Sequence, residues 1–346
     1  MDSTKRLNNF NLIRLLAAMQ VLLVHAFNHF EIHNVYIDFF KLFPGVPVFF
    51  FISGLLIGGT YIRNEHKGNF VFFWNRCLRL YPALLLCVFL SIITVYLVGY
   101  YKTVNFSIVH FVSWVFGQIT FFQFYNPDFM RQYGIGVLNG SLWTISVELQ
   151  FYLLTPLLYH LFKIKKGKLF LIILFVLSIL INVYLKIYLD WSKMYMKLIS
   201  VSFLPWVYMF LIGFLVSKYK EGIKKYTDNV NIFLVFVLYV FSMFLIGSYK
   251  NNAMNSINPI SVFLLCLFIY KFSNLNLKLP DFIIKYINNN DISYGIYIYH
   301  MPIINTLLFI NIFTININIF LTLLFTILFS IFSWNFIESP VLKFKK

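Results

Sequence analysis

Hydrophobic residues run along this chain in eleven blocks, about 10–29, 43–62, 78–100, 108–125, 142–162, 169–189, 199–217, 230–249, 257–272, 293–310 and 317–337. Short polar stretches divide them. A block of roughly 18 or more apolar residues, coiled as a helix, is long enough to cross about 30 Å of hydrocarbon. The pattern predicts a chain that threads a bilayer many times.

The polar stretches decide which blocks cross. Lys5 and Arg6 open the chain, and basic clusters follow at Arg63, Lys67, Arg76 and Arg79, at Lys163, Lys165, Lys166 and Lys168, and at Lys218, Lys220, Lys224 and Lys225. Two more lie at Lys271, Lys278 and Lys285, and at Lys343, Lys345 and Lys346. If these clusters and Arg14 are cytoplasmic, 21 of the 28 basic residues share one side, the asymmetry that membrane orientation requires. The assignment needs an even number of crossings between residues 79 and 163. Block 108–125, with His110, Ser113, Gly117, Gln118, Thr120 and Gln123, is therefore expected to be re-entrant or interfacial on the outer side, where it packs on protein. The expected fold is all-α: a polytopic transmembrane helical bundle of ten spanning helices plus that segment. Both termini are placed in the cytoplasm, and residues 1–346 form a single membrane-embedded domain.

Composition excludes a soluble globule. Hydrophobic residues make up 60% of the chain and charged residues 12%, against about a quarter charged in soluble domains. The formal charge of +16 does not imply a nucleic-acid partner, because the cations punctuate the gaps between blocks. The first block carries Arg14 and His25 and reads as a retained helix, not a cleaved leader. Cys77, Cys87 and Cys266 have neither disulfide nor metal spacing and read as packing residues. No internal repeat of the kind many transporters carry is visible.

Candidate chemistry lies in polar residues within the apolar blocks, each costing roughly 2.5–3.5 kcal/mol on insertion scales if ionisable. Arg14 and His25 are eleven residues apart, close to three helical turns, so one helix face carries a cation and, about 16 Å away, an imidazole. Arg14 alone could equally snorkel to headgroups. Ser53 and Gly54 form a small pair in a bulky block, suited to close helix approach. Arg76 and Arg79, three apart, share a face at a cytoplasmic helix mouth. Lipid headgroups and the phosphates of a nucleotide-bearing cofactor such as coenzyme A fit that guanidinium pair equally well. Glu148, flanked by Trp143, Gln150 and Tyr152, needs a partner: a buried ion pair, a histidine, or sugar hydroxyls. His300 falls in mid-block, two residues before Pro302, which frees a backbone carbonyl.

Read in series, these segments resemble the acyltransferase 3 family of integral membrane acyltransferases. The resemblance is carried by Leu12-Ile13-Arg14 with His25; Phe49-Phe50-Phe51-Ile52-Ser53-Gly54; Arg76-x-x-Arg79-x-x-Pro82; Leu142-Trp143-x-x-Ser146-x-Glu148-x-Gln150-Phe151-Tyr152; Tyr294-x-x-Tyr297-x-x-His300-x-Pro302; and Glu338-x-Pro340. Phe10-Asn11 stands where the family commonly has Asp-Gly, and Asn75 where an Arg pair begins. The resemblance implies a cytoplasmic acyl-CoA donor, chiefly acetyl-CoA, and a glycan or lipid-linked sugar acceptor of the cell envelope or surface, at the inner or plasma membrane and without a metal. It marks His25 and Arg14 as essential. On this reading Arg14, Arg76 and Arg79 hold the donor, and His25 is the general base or transient acyl carrier. Glu148 orients the histidine or holds the acceptor, Ser53 is a hydrogen-bond partner, and Trp143, Gln150, Tyr152 and His300 line the acceptor site. A glycan exporter shares the helices and buried charges but leaves the cations at the inner mouth unexplained, and the presence of His25, Arg14 and Glu148 argues against a non-catalytic sensor.

Overall fold

The computed structural model describes residues 9–32, 39–246 and 258–346. Every regular element among them is helical. In order these are α1 (Asn9–His29), α2 (Gly45–Arg63), α3 (Gly68–Leu97), α4 (Ile108–Ile119), α5 (Trp143–Lys163), α6 (Lys165–Tyr188), α7 (Met194–Ser200), α8 (Val207–Lys218), α9 (Lys220–Thr227), α10 (Ile232–Leu245), α11 (Pro259–Ser273), α12 (Asp281–Asn289), α13 (Ser293–Ile310) and α14 (Ile315–Ser333). A π-helical turn, Trp334–Glu338, and a last short helix, α15 (Ser339–Leu342), close the chain.

Polarity in these helices is inverted relative to a soluble protein. On α6 the exposed side chains include Leu169, Ile172, Ile173, Val176 and Leu180, while Ser178 and Asn182 are buried. On α14 the buried set is Asn318, Thr322, Thr326, Ser330 and Ser333, and Phe320, Leu324 and Leu328 face outward. Apolar groups turned to lipid and polar groups turned to protein are what a hydrocarbon solvent dictates. This is a membrane protein.

Five stretches among the described residues are long and apolar enough to cross a bilayer: Asn9–His29, Phe39–Arg63, Glu65–Leu97, Lys165–Tyr188 and Ile315–Leu342. A sixth results if α9 and α10, bent by 91° at their junction, count as one span. The expected ten is not reached on length and apolarity, for a physical reason. Helices α5 and α13 have 21 and 18 residues, enough to cross, but carry Glu148, Gln150 and His160, and His300 and Asn305. The apolar helices Ile108–Ile119, Val207–Lys218 and Pro259–Ser273 are simply short. At 12 residues, α4 extends only about 18 Å, less than a crossing. It starts at Ser107, whose hydroxyl accepts from the His110 N–H at 3.2 Å. One face buries Trp114, Gly117 and Gln118 and the other exposes Ile108, Val109, Val112 and Phe116.

The chain divides into two compact units. The first takes the described residues of 1–17, 38–72 and 148–290. Its centre is the pair α2 and α8, which approach backbone to backbone: a Cβ at Gly54 would run into the Phe210 carbonyl, and one at Gly213 into the Phe51 carbonyl. Phe210 stacks on Phe151 of α5, with ring centroids 4.5 Å apart. Ser178 on α6 accepts from the Tyr208 N–H at 3.1 Å, and Ser242 on α10 donates to Ser261 on α11 at 2.9 Å. Asn9 at the start of α1 donates to the carbonyls of Phe272 and Leu275, closing the otherwise unbonded end of α11.

The second unit takes 18–37, 73–147 and 291–346, where described. Helix α13 is its spine. Gly295 lies against the Ser330 backbone, so α13 and α14 touch at their small residues. Tyr294 and Tyr299 donate to the carbonyls of Leu80 and Ala83 on α3 at 3.1 and 3.4 Å. Asn305 donates to the carbonyls of Val137 and Leu138 and accepts from the Ile135 N–H at 2.8 Å, which fastens the loop before α5 to the helix.

The close approach of α2 and α8 gives a direct test. Gly54→Val forces a branched side chain onto the Phe210 carbonyl and is expected to cost about 1–3 kcal/mol. The readout is a lower thermal unfolding midpoint in detergent. Gly222→Ala, at a position with open space around it, is expected not to lower it.

Candidate active site

Helix α13 is interrupted chemically at Pro302. Proline has no N–H, so the carbonyl four residues earlier, that of Ile298, loses its helical donor. Asn139 replaces that donor at 2.8 Å, and the Cys87 thiol adds a contact at 3.2 Å. The Ser141 hydroxyl reaches the neighbouring Tyr297 carbonyl at 3.2 Å, and Thr144 bonds the Tyr297 phenol at 2.6 Å. These bonds fix the turn of α13 that carries His300.

The end of α1 is pinned to the same turn by an apolar cluster of Ala26, Phe30, Met301, Ile304 and Leu307. That packing sets two imidazoles side by side. His25 Nδ1 lies 2.9 Å from His300 Nε2, with ring centroids 5.1 Å apart and planes at 30°. His300 Nδ1 lies 3.0 Å from the Ile296 carbonyl oxygen. His300 is fully buried, while His25 remains partly exposed. His29, one turn on, sits with its ring centroid 5.9 Å from that of His25. The partner of His25 Nδ1 is thus another histidine.

Arg79, expected to meet a phosphate, lies between two carboxylates. Its Nη2 pairs with Asp291 at 2.7 Å and its Nη1 with Glu338 at 3.1 Å. The guanidinium carbon is 5.8 Å from the ring centroids of Tyr294 and Trp334. Ser293 and Ser333 donate to the outer oxygens of the two carboxylates. A guanidinium enclosed by two carboxylates and two aromatic rings ties α3 to the start of α13 and to the π-helical turn. Arg76, one turn earlier on the same face of α3, is half-buried. Trp143, also half-buried, is the first residue of α5.

The remaining expected residues belong to the first unit. Arg14 is half-buried on the first half of α1, and Ser53 is half-buried on α2 beside Gly54. Glu148 has no cationic partner among the described residues, so the buried ion pair considered for it is absent there. It accepts from the Tyr152 phenol at 2.6 Å, one turn along α5. Gln150, expected among the lining residues, is half-buried on α5. Its amide donates to the Val201 carbonyl at 3.2 Å and accepts from the Phe203 N–H at 2.8 Å, bridging α5 to the segment after α7.

Asn139, Asn305, Asp291 and Glu338 lie outside the set of expected site residues. Glu338 carried a usable signal, since a carboxylate in the last apolar block needs a partner as much as Glu148 does. The two asparagines lie in a loop and a helix whose pairing no local pattern announces. No group of three or more His, Cys, Asp or Glu side chains able to hold a metal converges among the described residues.

A family profile described as an acyltransferase domain matches residues 7–337. Nodulation protein 10 of Rhizobium leguminosarum bv. viciae is 26% identical over 350 residues, 98% of this chain and 94% of that protein. An O-acetyl transferase of Shigella phage Sf6 is 29% identical over 352 residues, 97% of this chain and 96% of the relative. The O-acetyltransferase OatA of Staphylococcus aureus (strain NCTC 8325 / PS 47) is 28% identical over 332 residues, which cover 87% of this chain and 53% of that protein. No solved structure matches the chain.

Glu338 is only 1% exposed, so removing its charge leaves Arg79 short of a buried partner. Glu338→Leu is expected to destabilise the protein by roughly 3–5 kcal/mol, measured as a drop in unfolding midpoint in detergent. A change of under about 1 kcal/mol, the size of a surface pair, would count against a buried clamp.

Proposed function

The chain belongs to the acyltransferase 3 family, and from that premise we propose that it is a membrane O-acetyltransferase acting on a polysaccharide or its lipid-linked precursor. The donor is cytoplasmic acetyl-CoA and the acceptor group is a sugar hydroxyl. The enzyme crosses the inner or plasma membrane ten times, with both termini in the cytoplasm.

The observation that carries this reading is His25: a partly exposed imidazole in an apolar helix, bonded through one ring nitrogen and leaving the other for substrate. Imidazole titrates near working pH and suits general acid–base work. His25 takes the proton of the acceptor hydroxyl as its oxygen attacks the thioester carbonyl. A tetrahedral intermediate forms and then expels the coenzyme A thiolate. The His25 imidazolium returns the proton to that sulfur, leaving an O-acetyl ester and free coenzyme A. Arg14 and Arg76 are assigned to the phosphates of coenzyme A, for which a guanidinium fork is suited. Arg79 anchors the helix that presents Arg76. Glu148, held by Tyr152, accepts hydrogen bonds from acceptor hydroxyls, with Trp143 offering a flat apolar face to the sugar ring and Ser53 a further hydrogen bond.

Protein in lipid nanodiscs, given acetyl-CoA labelled in the acetyl group and a glycan extract, is expected to transfer label to glycan. His25→Ala is expected to lower the rate about 10²- to 10⁴-fold without loss of acetyl-CoA binding. Undiminished transfer by His25→Ala would remove the base from this scheme, and no transfer by the intact protein would remove the scheme.

A further inference from the structure

The histidine pair contains more information than its distance. A backbone carbonyl oxygen only accepts hydrogen bonds, and a neutral imidazole carries one N–H and one bare nitrogen. His300 Nδ1 faces the Ile296 carbonyl at 3.0 Å, so Nδ1 holds the hydrogen and Nε2 is bare. That bare nitrogen is the one 2.9 Å from His25 Nδ1. Two bare nitrogens cannot bond, so His25 Nδ1 must hold a hydrogen too. The bare nitrogen of His25 is then Nε2.

The chain of bonds has a fixed polarity because it starts from a group that cannot reverse. Rotating the His300 ring would break both of its bonds, and the ring has little room to do so. It is fully buried, with Tyr297 packed edge-on at a centroid distance of 6.0 Å. Pro302 lies two residues on, and the turn is held from outside by Asn139 and Ser141. No carboxylate pairs with either imidazole among the described residues.

We infer that His300 is a positioning residue: the bond from the Ile296 carbonyl through His300 to His25 Nδ1 locks His25 in the Nδ1–H tautomer and presents Nε2 as the base. In hydrolase triads a buried carboxylate sets the histidine tautomer; here a neutral imidazole anchored on main chain takes that task. The inference rests on His25 being the base, and it adds which of its nitrogens acts and why.

The test uses full-length protein in nanodiscs with ¹⁵N-labelled histidine, the His25 signals being assigned by their loss in His25→Ala. Wild-type His25 is expected to show a protonated, pyrrole-type Nδ1 and a bare, pyridine-type Nε2. In His300→Leu these signals are expected to change to the other tautomer or a mixture. The kcat for acetyl transfer is then expected to fall about 100-fold, the size of a geometric misplacement, with the KM for acetyl-CoA unchanged. His300→Gln, whose side-chain carbonyl can accept from Nδ1, is expected to recover part of the loss and of the signal pattern. A wild-type Nε2–H tautomer, or His300→Leu with unaltered His25 signals and kcat, overturns the inference. Full activity in His25→Ala overturns the base assignment alone, since the nitrogen signals still report the bond.

Discussion

A polar group inside hydrocarbon has no water to fall back on, and in this protein that constraint converges on α13. The helix carries His300, Asn305 and a proline that strands the Ile298 carbonyl, and each needs a partner from elsewhere in the chain. The partners are Asn139, Cys87, Ser141 and Thr144, the backbone from Ile135 to Leu138, and His25. The same bonds that satisfy α13 place the loop before α5 and define the surroundings of the catalytic candidate. Stability and site geometry are here one set of interactions.

The two units solve the packing problem differently. In the first, glycines let α2 and α8 approach until backbone meets backbone, and large aromatic rings such as Phe151, Phe210 and Phe214 fill the remaining space. Contact there is mostly dispersion, and many apolar substitutions of similar volume would be tolerated. In the second, hydrogen bonds and the Arg79 ion cluster take precedence. Such a network specifies one geometry because a partly satisfied network in low dielectric is costly. The histidine pair lies in the second kind of surroundings.

The sequence made local matters legible and left distant pairings hidden. Helical class followed from block length, the close approach at Gly54 from two small residues in a bulky run, and the freed carbonyl from Pro302. His25 stood out because an imidazole is anomalous in an apolar helix. The partners of Arg79 did not, since Asp291 and Glu338 lie 212 and 259 residues away and nothing near Arg79 distinguishes a carboxylate partner from a phosphate. The partners of Gln150 were hidden for the same reason: an amide's partners depend on which backbone passes by. The crossings of α5 and α13 are obscured for a chemical reason, because polar residues including Glu148 and His300 interrupt helices of spanning length.

The separation between the Ile298 carbonyl and Asn139, 159 residues, bears on how the protein is made. At ribosomal rates of about 5–20 residues per second, the loop before α5 waits roughly ten to thirty seconds for the helix that completes its bonds. His25 waits longer still, being 275 residues from His300. The histidine pair is therefore among the last contacts formed during biogenesis. A nascent chain lacking α13 is both incomplete in its polar bonding and devoid of the pair, so it offers quality-control proteases an unsatisfied surface before it can carry out any chemistry.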